Sequence, residues 1–310
     1  MASVSKETTQ LVANGYAIQY PSTMHGQSIG TATKNGVLYT VKQANKNTTN
    51  RNESALYQCD AVKQSRLLHF CTVLNASIGG YVARFIDFFE TEDSYFLITE
   101  YAGNMTLAAF HRRAQQHIAK GHFTRSEYKK VVKFIAWQIC VTLKWLHAMS
   151  ISHLTLSLES IMVRDEAFIL QPDGSVHLNR AVNIKVHAFE NAIRYVEQSS
   201  PDFLAAQKED VWQFGCLLFE LYSHQRLYQT KKDSGFIAVS LGKLDEFAKM
   251  NNLGSHFSAP AFRVLLGALQ CDERNRSSVD QMLRSPFFAA YYRAYGARIQ
   301  RQIAAAQQAN

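Results

Sequence analysis

Residues 151–163 read ISHLTLSLESIMV, and this stretch decides the fold. It follows an amphipathic segment, 125–149, in which apolar residues recur at helical spacing. A histidine, His153, and a short polar loop then lead into the apolar triplet 161–163. The sequence therefore predicts a long helix, a loop that carries His153, and a short buried strand.

This arrangement resembles the catalytic loop of eukaryotic protein kinases, HRDLKPENIL. His153 matches the histidine of that motif, but Thr155 stands in place of the aspartate that orients the phosphoryl acceptor. Ser157 replaces the lysine, and Ser160 replaces the asparagine that binds magnesium. The resemblance implies that the frame of the loop is present and that its catalytic side chains are missing.

The resemblance covers about residues 20–288, and three further motifs carry it through the second half of the chain. Residues 210–216 (DVWQFGC) resemble the DVWSLG start of the central helix in the large lobe of kinases. Residues 272–276 (DERNR) and 282–288 (MLRSPFF) resemble the DPxxR and LxHPFF sequences near the end of the kinase domain. The resemblance implies an α+β, two-lobed protein-kinase-like fold. A small antiparallel β-sheet lobe with one helix precedes a large, mainly helical lobe.

The domain organisation follows from this comparison. We expect a loose leader over residues 1–15, an N-lobe over 16–102 and a C-lobe over 103–288. Residues 289–310 read as a terminal helix with Tyr291, Tyr295 and Ile299 along one side. This tail either packs on its own lobe, which we favour, or contacts a partner.

Turn residues predict two hairpins. Lys34-Asn35-Gly36 closes the first, between 26–32 and 37–43, and Pro172-Asp173-Gly174 closes the second, between 168–171 and 175–178.

The predicted N-lobe keeps parts of a nucleotide site. Residues 37–43 (VLYTVKQ) resemble the VAIK strand, which places Lys42 at the phosphate-anchoring position, while Thr40 replaces a small apolar residue that faces adenine. The helix predicted over 53–74 offers Asp60 or Glu53 as the partner of Lys42. The loop 20–26 contains one glycine, so it is a poor phosphate cradle. The resemblance adds Thr99 as gatekeeper, an adenine-facing backbone at Glu100, Tyr101 and Ala102, and Met162 to this vestigial pocket.

The magnesium-binding DFG motif has two candidate positions. Residues 183–192 resemble the strand that enters it, and in that register Ala188 replaces the aspartate and Phe189 matches the phenylalanine. A rival register, through 176–179, puts Arg180 at the aspartate. Neither register supplies a magnesium ligand. Asp173 lies near the usual spacing from the catalytic loop but has the sequence context of a turn residue.

Other residues of the family pattern survive and imply structural roles. His153 and Phe189 belong by analogy to the apolar column that links the two lobes. Asp210 is expected to tie down the backbone of the catalytic loop, and Arg276 to pair with Asp202. Trp212 and Gly215 complete the motif of the central helix.

The predicted function is that of a catalytically inactive pseudokinase. It would act as a protein-binding scaffold or allosteric regulator of a partner, such as an active kinase. We expect no metal and no required cofactor, with ATP binding that is weak or absent and independent of magnesium. One alternative is a divergent Ser/Thr kinase or another ATP-dependent transferase that uses displaced carboxylates, for example Glu159 or Glu190. Another is a basic adaptor for an acidic surface.

Composition narrows the partners and the location. The net charge is +8, but the charges are dispersed and no nucleic-acid-binding module is present, so nucleic acid is an unexpected partner. No apolar run reaches the ~18 residues of a membrane helix. The first residues lack a signal peptide, and the five cysteines are scattered. We therefore expect an intracellular protein, cytoplasmic or nuclear, that binds another protein.

Overall fold

The computed structural model describes residues 10–19, 27–46, 51–74, 80–103, 105–164, 166–228 and 232–308, with the backbone alone at 10–11, 27–28, 45, 51–61, 74 and 254. The chain divides into two compact units, up to Ala102 and from Gly103. This division falls where the sequence analysis placed the lobe boundary. No helix in these ranges is both long and apolar enough to cross a membrane.

The first unit contains an antiparallel sheet of six strands in the order β1-β2-β3-β4-β6-β5. A helix, α1, packs against β4, β5 and β6 and buries Leu67, Leu68 and Cys71. The elements of this unit are β1 (Gln10–Ala13), β2 (Tyr16–Gln19), β3 (Gln27–Lys34), β4 (Val37–Asn45), α1 (Arg51–Leu74), β5 (Phe85–Glu90) and β6 (Ser94–Glu100).

Strand β1 corrects the predicted leader. Residues 10–15 are not loose, because β1 pairs antiparallel with β2 through a two-residue turn at Asn14 and Gly15. Both turn residues have positive φ angles, 48° and 77°, which is the turn that asparagine followed by glycine favours in hairpins. The same dipeptide at Asn35 and Gly36 closes the hairpin of β3 and β4, and that prediction is confirmed.

The second unit is mainly helical. Its longest helix, α3, begins at a capping box in which Thr124 and Glu127 satisfy each other's backbone amides. The helices are α2 (Leu107–Ala119), α3 (Arg125–Ala148), α4 (Pro201–Ser223), α5 (Ser234–Ser240), α6 (Leu244–Met250), α7 (Ala259–Ala268), α8 (Val279–Leu283) and α9 (Ala289–Gln308).

Short strands join these helices. β12 pairs with β9, β9 pairs with β7, and β8 pairs with β13. β10 and β11 form the predicted hairpin with Pro172-Asp173-Gly174 at its tip. The strands are β7 (Met105–Thr106), β8 (Ile151–Ser152), β9 (Ile161–Val163), β10 (Phe168–Leu170), β11 (Val176–Leu178), β12 (Ile184–Val186) and β13 (Ile193–Arg194).

Helix α9 packs on α3 of its own unit. The Tyr291 ring lies 5.5 Å from the Phe134 ring and 5.7 Å from the Trp137 ring, and Ile299 and Ile303 are buried. The predicted stripe is wrong at Tyr295, which is 46% exposed. Its place on the buried side is taken by Gly296.

Candidate functional site

The loop between β8 and β9 has the conformation that Asp210 imposes on it. Asp210 lies on α4 and is fully buried. Its carboxylate accepts hydrogen bonds from the backbone amides of His153 (3.0 Å) and Leu154 (2.7 Å), and it contacts Nε2 of His147 at 2.8 Å. Leu154 has a φ angle of 61°, an uncommon conformation that these contacts stabilise. The predicted tie between Asp210 and the loop backbone is therefore present.

A glutamine that the sequence analysis did not single out provides a second tie. Gln213 lies one helical turn after Asp210, where the family motif has serine. Its Oε1 accepts from the amide of Leu156 at 2.7 Å, and its Nε2 donates to the carbonyl of Leu154 at 3.0 Å. The signal was available in the motif DVWQFG, since a long amide side chain replaces a short hydroxyl.

His153 lies at the centre of the loop and is fully buried. Its ring meets the Phe189 ring edge to face at 4.8 Å, and its Nε2 contacts the carbonyl oxygen of His187 at 2.9 Å. Burial lowers the pKa of His153, although Asp210 and the His187 carbonyl oppose this shift. The family resemblance placed both residues in one apolar column, and their ring contact is observed; that the column links the two lobes stays a prediction.

Thr155 is the residue that the family resemblance sets at the position of the catalytic aspartate. Its hydroxyl makes 3.2 Å hydrogen bonds to the carbonyl oxygens of His153 and Ala188. The side chain therefore binds the backbone of its own loop and of the segment after β12.

The two serines of the loop bond to each other. The hydroxyl of Ser160 accepts from the Ser157 amide at 2.8 Å and donates to the Ser157 carbonyl at 3.0 Å. Ser160 is 3% exposed, so its oxygen is committed to this turn. A hydroxyl with these partners is a poor ligand for magnesium, which prefers carboxylate and carbonyl oxygens in octahedral geometry.

Strand pairing resolves the two registers of the DFG-like segment. β12 pairs with β9 and leads directly to His187, Ala188 and Phe189. The rival stretch, 176–179, lies in the β10–β11 hairpin. Ala188 therefore follows the strand beside the catalytic loop, with a φ angle of 66°. Asp173 is exposed at the hairpin tip, where its carboxylate accepts from the Ser175 amide at 2.9 Å.

The hinge-like segment of the first unit follows β6. Thr99 and Ala102 are buried, and the amide of Ala102 donates to the hydroxyl of Thr40 at 3.3 Å. Glu100 is half-buried, and its carboxylate accepts from the Arg84 amide at 3.0 Å. The structure thus gives the Ala102 amide an internal acceptor within the same unit.

Lys42 lies on β4, opposite Leu97 of β6 and Ile29 of β3, and is half-buried. The side chains of Asp60 and Glu53 and the loop 20–26 lie outside the described residues. Tyr101 and Met162 are half-buried. The nucleotide-site roles of Lys42, Thr99, Glu100, Tyr101, Ala102 and Met162 stay predictions.

Comparison with known proteins identifies the family. A family model for the protein kinase domain matches residues 25–288. The chain belongs to the protein kinase domain family. This kinase domain is similar to the probable serine/threonine-protein kinase nek3 of Dictyostelium discoideum, with 24% identity over 246 residues, 75% of this chain and 20% of that protein. It is also similar to the serine/threonine-protein kinase RAD53 of Saccharomyces cerevisiae, with 25% identity over 232 residues, 66% of this chain and 26% of that protein.

A solved structure supports the same fold. The crystal structure of Rad53 1-466 in complex with AMP-PNP matches with a TM-score of 0.58 and 18% identity, over 88% of this chain and 65% of that chain. The protein-kinase-like fold predicted from the sequence is confirmed. The kinase domain spans only 20% and 26% of the lengths of the two curated relatives.

The predicted pair of Arg276 with Asp202 in the kinase domain is wrong. Arg276 donates to the carbonyl oxygens of Lys208 (2.8 Å) and Gln270 (3.0 Å), and its guanidinium lies 4.9 Å from the Trp212 ring centre. Asp202 is exposed in the first turn of α4, because that helix begins at Pro201. Six residues, or about 9 Å of helix, separate Asp202 from Lys208.

A cavity of about 560 Å³ opens beside the loop of the kinase domain. Residues 154–159, α4 and residues 226–228 line it. Its walls carry Glu159, Glu209 and Glu220 against one guanidinium, Arg226, whose Nε lies 3.5 Å from the Glu220 carboxylate. Burial raises the pKa of Glu220. Because carboxylates outnumber guanidinium groups on its walls, the cavity favours ligands that carry cationic groups.

No metal-binding cluster is evident in the described ranges: they contain no group of three or more histidine, cysteine, aspartate or glutamate side chains placed to hold a metal ion.

Proposed function

We propose that this kinase domain does not transfer phosphate and acts by binding a partner protein, as a scaffold or allosteric regulator of, for example, an active kinase. The observation that carries the proposal is the hydroxyl of Thr155. It stands at the position of the catalytic aspartate and makes 3.2 Å hydrogen bonds to the carbonyl oxygens of His153 and Ala188.

The chemistry of the substituted positions supports the loss of phosphoryl transfer. A threonine hydroxyl does not take up a proton near neutral pH, so Thr155 cannot serve as the acceptor-orienting base. Ala188 has no ligand atom in its side chain, and Ser160 bonds to Ser157. Kinase catalysis depends on positioning and on charge stabilisation by magnesium, so these losses act together.

The hinge-like segment supports weak nucleotide binding. The Ala102 amide is one of the backbone groups expected to face adenine, and it already donates to Thr40. A nucleotide base would have to displace this internal hydrogen bond. Binding that remains would use Lys42 and would not need magnesium.

The alternative of a divergent kinase that uses displaced carboxylates gains no support from Asp173. This residue is exposed at the tip of the β10–β11 hairpin and stabilises its own turn.

The test is thermal unfolding of the purified chain with ATP and magnesium, with ATP and EDTA, and without ligand, beside a phosphoryl-transfer assay. A ligand at 100 times its Kd adds about 2.7 kcal/mol to the unfolding free energy. For a chain of this length that is about 4 °C, at roughly 2.1 cal/mol/K of unfolding entropy per residue. We expect no magnesium-dependent shift and no transfer of phosphate. A shift that requires magnesium, with turnover, would overturn the proposal.

A further inference from the structure

The segment from Gly103 to Lys133 carries most of the net positive charge. It contains seven lysine or arginine residues and one acidic residue, Glu127, in a chain of net charge +8. Both carboxylate oxygens of Glu127 are engaged. Oε2 accepts from the amide and hydroxyl of Thr124, and Oε1 lies 3.6 Å from Nη2 of Arg180. The one carboxylate within this segment is therefore held by its own helix cap and by an arginine from beyond the β10–β11 hairpin.

Four basic residues of this segment, together with Arg180, form one surface of the second unit. Arg113 and His117 lie one turn apart on α2, and Lys120, the C-cap residue that follows its last turn, continues the same side. Nδ1 of His122 lies 3.0 Å from Nδ1 of His117, and Arg180 reaches the start of α3 through Glu127. We call Arg113, His117, Lys120, His122 and Arg180 the basic face.

The charges of the basic face lie close enough to act on one another. The pKa of His117 is lowered, first by burial and then by the positive charges of His122, Arg113 and Lys120. Arg113, Lys120 and Arg180 are exposed to solvent. Mutual repulsion in an exposed cluster is relieved when a negative partner binds.

Two apolar side chains of β10, Phe168 and Leu170, border the basic face. The Phe168 ring of β10 lies 5.1 Å from the Arg113 guanidinium and 5.1 Å from the His117 ring. Leu170 follows on the same side of the hairpin, since side chains alternate along a strand. It is 73% exposed. The hairpin thus brings a free apolar side chain beside the basic stripe of α2.

We propose that the basic face and Leu170 form a docking surface for an acidic segment of a partner protein that carries an apolar side chain among its carboxylates. Charge complementarity with Arg113, Lys120 and Arg180 would orient the segment, and contact with Leu170 would fix its register. This inference names a partner class for the protein-binding part of the proposed function, and its test does not depend on phosphoryl transfer.

The composition of the surface favours an acidic protein over nucleic acid and over a membrane. Phe110 and Phe123 are buried, and the Phe168 ring is occupied by Arg113 and His117, so the face presents no open ring on which a base could stack. The exposed apolar residues of the hairpin are Ile169 and Leu170. An interfacial membrane helix presents a full apolar side instead.

The probe is a fluorescein-labelled peptide of glutamates with one central leucine, followed by anisotropy at low and at physiological ionic strength. The variant Arg113→Glu with Lys120→Glu reverses two charges of the face. The matched control, Arg298→Glu with Arg301→Glu, makes the same change in net charge at exposed positions of α9. We expect affinity to fall about tenfold or more in the first variant and by about twofold or less in the control. Both variants should keep the melting temperature of the unaltered chain, because all four residues are exposed.

A separate variant tests the proposed contact between Leu170 and the central leucine of the peptide. Leu170→Ser should weaken the leucine peptide about threefold and should not weaken a peptide with alanine at the centre, which is the signature of a direct contact. The proposal is overturned if the glutamate peptide does not bind, if both charge variants weaken it equally, or if a DNA duplex or phosphatidylserine vesicles bind through the face and the peptide does not. ATP turnover in the same samples reports separately on the proposed loss of catalysis.

Discussion

At the scale of single residues, Asp210 holds the conformation of the catalytic-like loop. Its buried carboxylate receives two backbone amides and contacts His147. Asp210→Asn should lower the unfolding free energy by about 3 kcal/mol. The substitution removes a charged acceptor, and it places the N–H groups of an amide beside the buried backbone N–H groups. Urea unfolding measures the loss.

Asp202→Asn is the matched control for Asp210→Asn. Asp202 is exposed and has no ion pair with Arg276, so only its favourable position in the first turn of α4 is lost. We expect a change of about 0.5 kcal/mol. Equal losses in the two variants would contradict the role assigned to Asp210 and would restore the pair with Arg276.

Thr40 should limit nucleotide binding through the Ala102 amide. Thr40→Val keeps the shape of the side chain and removes the acceptor hydroxyl. We expect a lower melting temperature without ligand, since a buried amide loses its partner at a cost of about 1–3 kcal/mol. We also expect a larger upward shift with ATP than in the unaltered chain. Thr31→Val, at a neighbouring position of the same sheet, should not enlarge the ATP shift.

At the scale of elements, α4 packs against α7 at a glycine. A Cβ at Gly215 would lie 2.8 Å from Cγ and Cδ2 of Leu269 and 3.0 Å from Cβ of Ala268. Gly215→Ala should therefore cost about 1–3 kcal/mol of stability, although alanine is the better helix former. Differential scanning calorimetry gives the change.

Gly296→Ala separates packing from helix propensity. A Cβ at Gly296 meets the Tyr292 ring at 3.4 Å, an ordinary contact. We expect this variant to gain about 0.5–1 kcal/mol, because alanine restricts the unfolded chain and favours the helix. If both alanine variants stabilise the chain, the close approach of α4 and α7 is contradicted.

Local signals predicted the elements well, and pairings distant in sequence were harder. The capping box at Thr124 and the turn at Asn35 and Gly36 are interactions between near neighbours, so the sequence displays them directly. The Asn14-Gly15 turn carries the same signal but was overlooked in a polar leader. The register of Ala188 depends on the pairing of β12 with β9, about 20 residues away in the chain, which spacing alone left open.

The sequence predicted which residues form the candidate site better than it predicted their hydrogen-bond partners. The family motifs led to Asp210, His153 and Phe189, whose contacts are observed. They gave the wrong partner for Arg276, because the sequence does not show that the Arg276 guanidinium lies against the carbonyl oxygens of Lys208 and Gln270. The motif shows that Gln213 replaces a serine, but it does not show which backbone groups of the loop the longer side chain reaches.

At the scale of the whole molecule, a histidine cluster should make stability depend on pH. The His224 ring lies 5.3 Å from the His111 ring and 5.7 Å from the His256 ring, and Nδ1 of His111 contacts the Tyr128 hydroxyl at 2.5 Å. Burial lowers the pKa of His111 to about 4 and of His224 to about 4. For His224, the positive charges of His111, Arg125, His256 and Lys129 add to this shift.

Both histidines should therefore weaken the fold in acid. Between pH 6.5 and about 4 the unfolded chain binds protons that the folded chain does not, so stability is full above pH 6.5 and falls as the pH is lowered. A fully buried imidazole contributes up to ~1.4 kcal/mol per pH unit, and these two contribute less because each is partly exposed. Melting temperatures across this range measure the slope.

His224→Asn is the variant that tests the histidine cluster. Asparagine tolerates the left-handed conformation at this position, where φ is 64°. The acid slope should become shallower in His224→Asn and should stay unchanged in His177→Asn, an exposed position on β11. An unchanged slope in the first variant would contradict the assignment.

The hydrogen bonds from Asp210 and Gln213 to the loop bear on how such a chain can evolve. Both residues bind main-chain atoms, so these hydrogen bonds to residues 153–156 do not require particular side chains at positions 155 and 157. A lineage could exchange its reactive groups one mutation at a time and still inherit a folded protein. Selection could then retain the shape while the side chains at these positions changed.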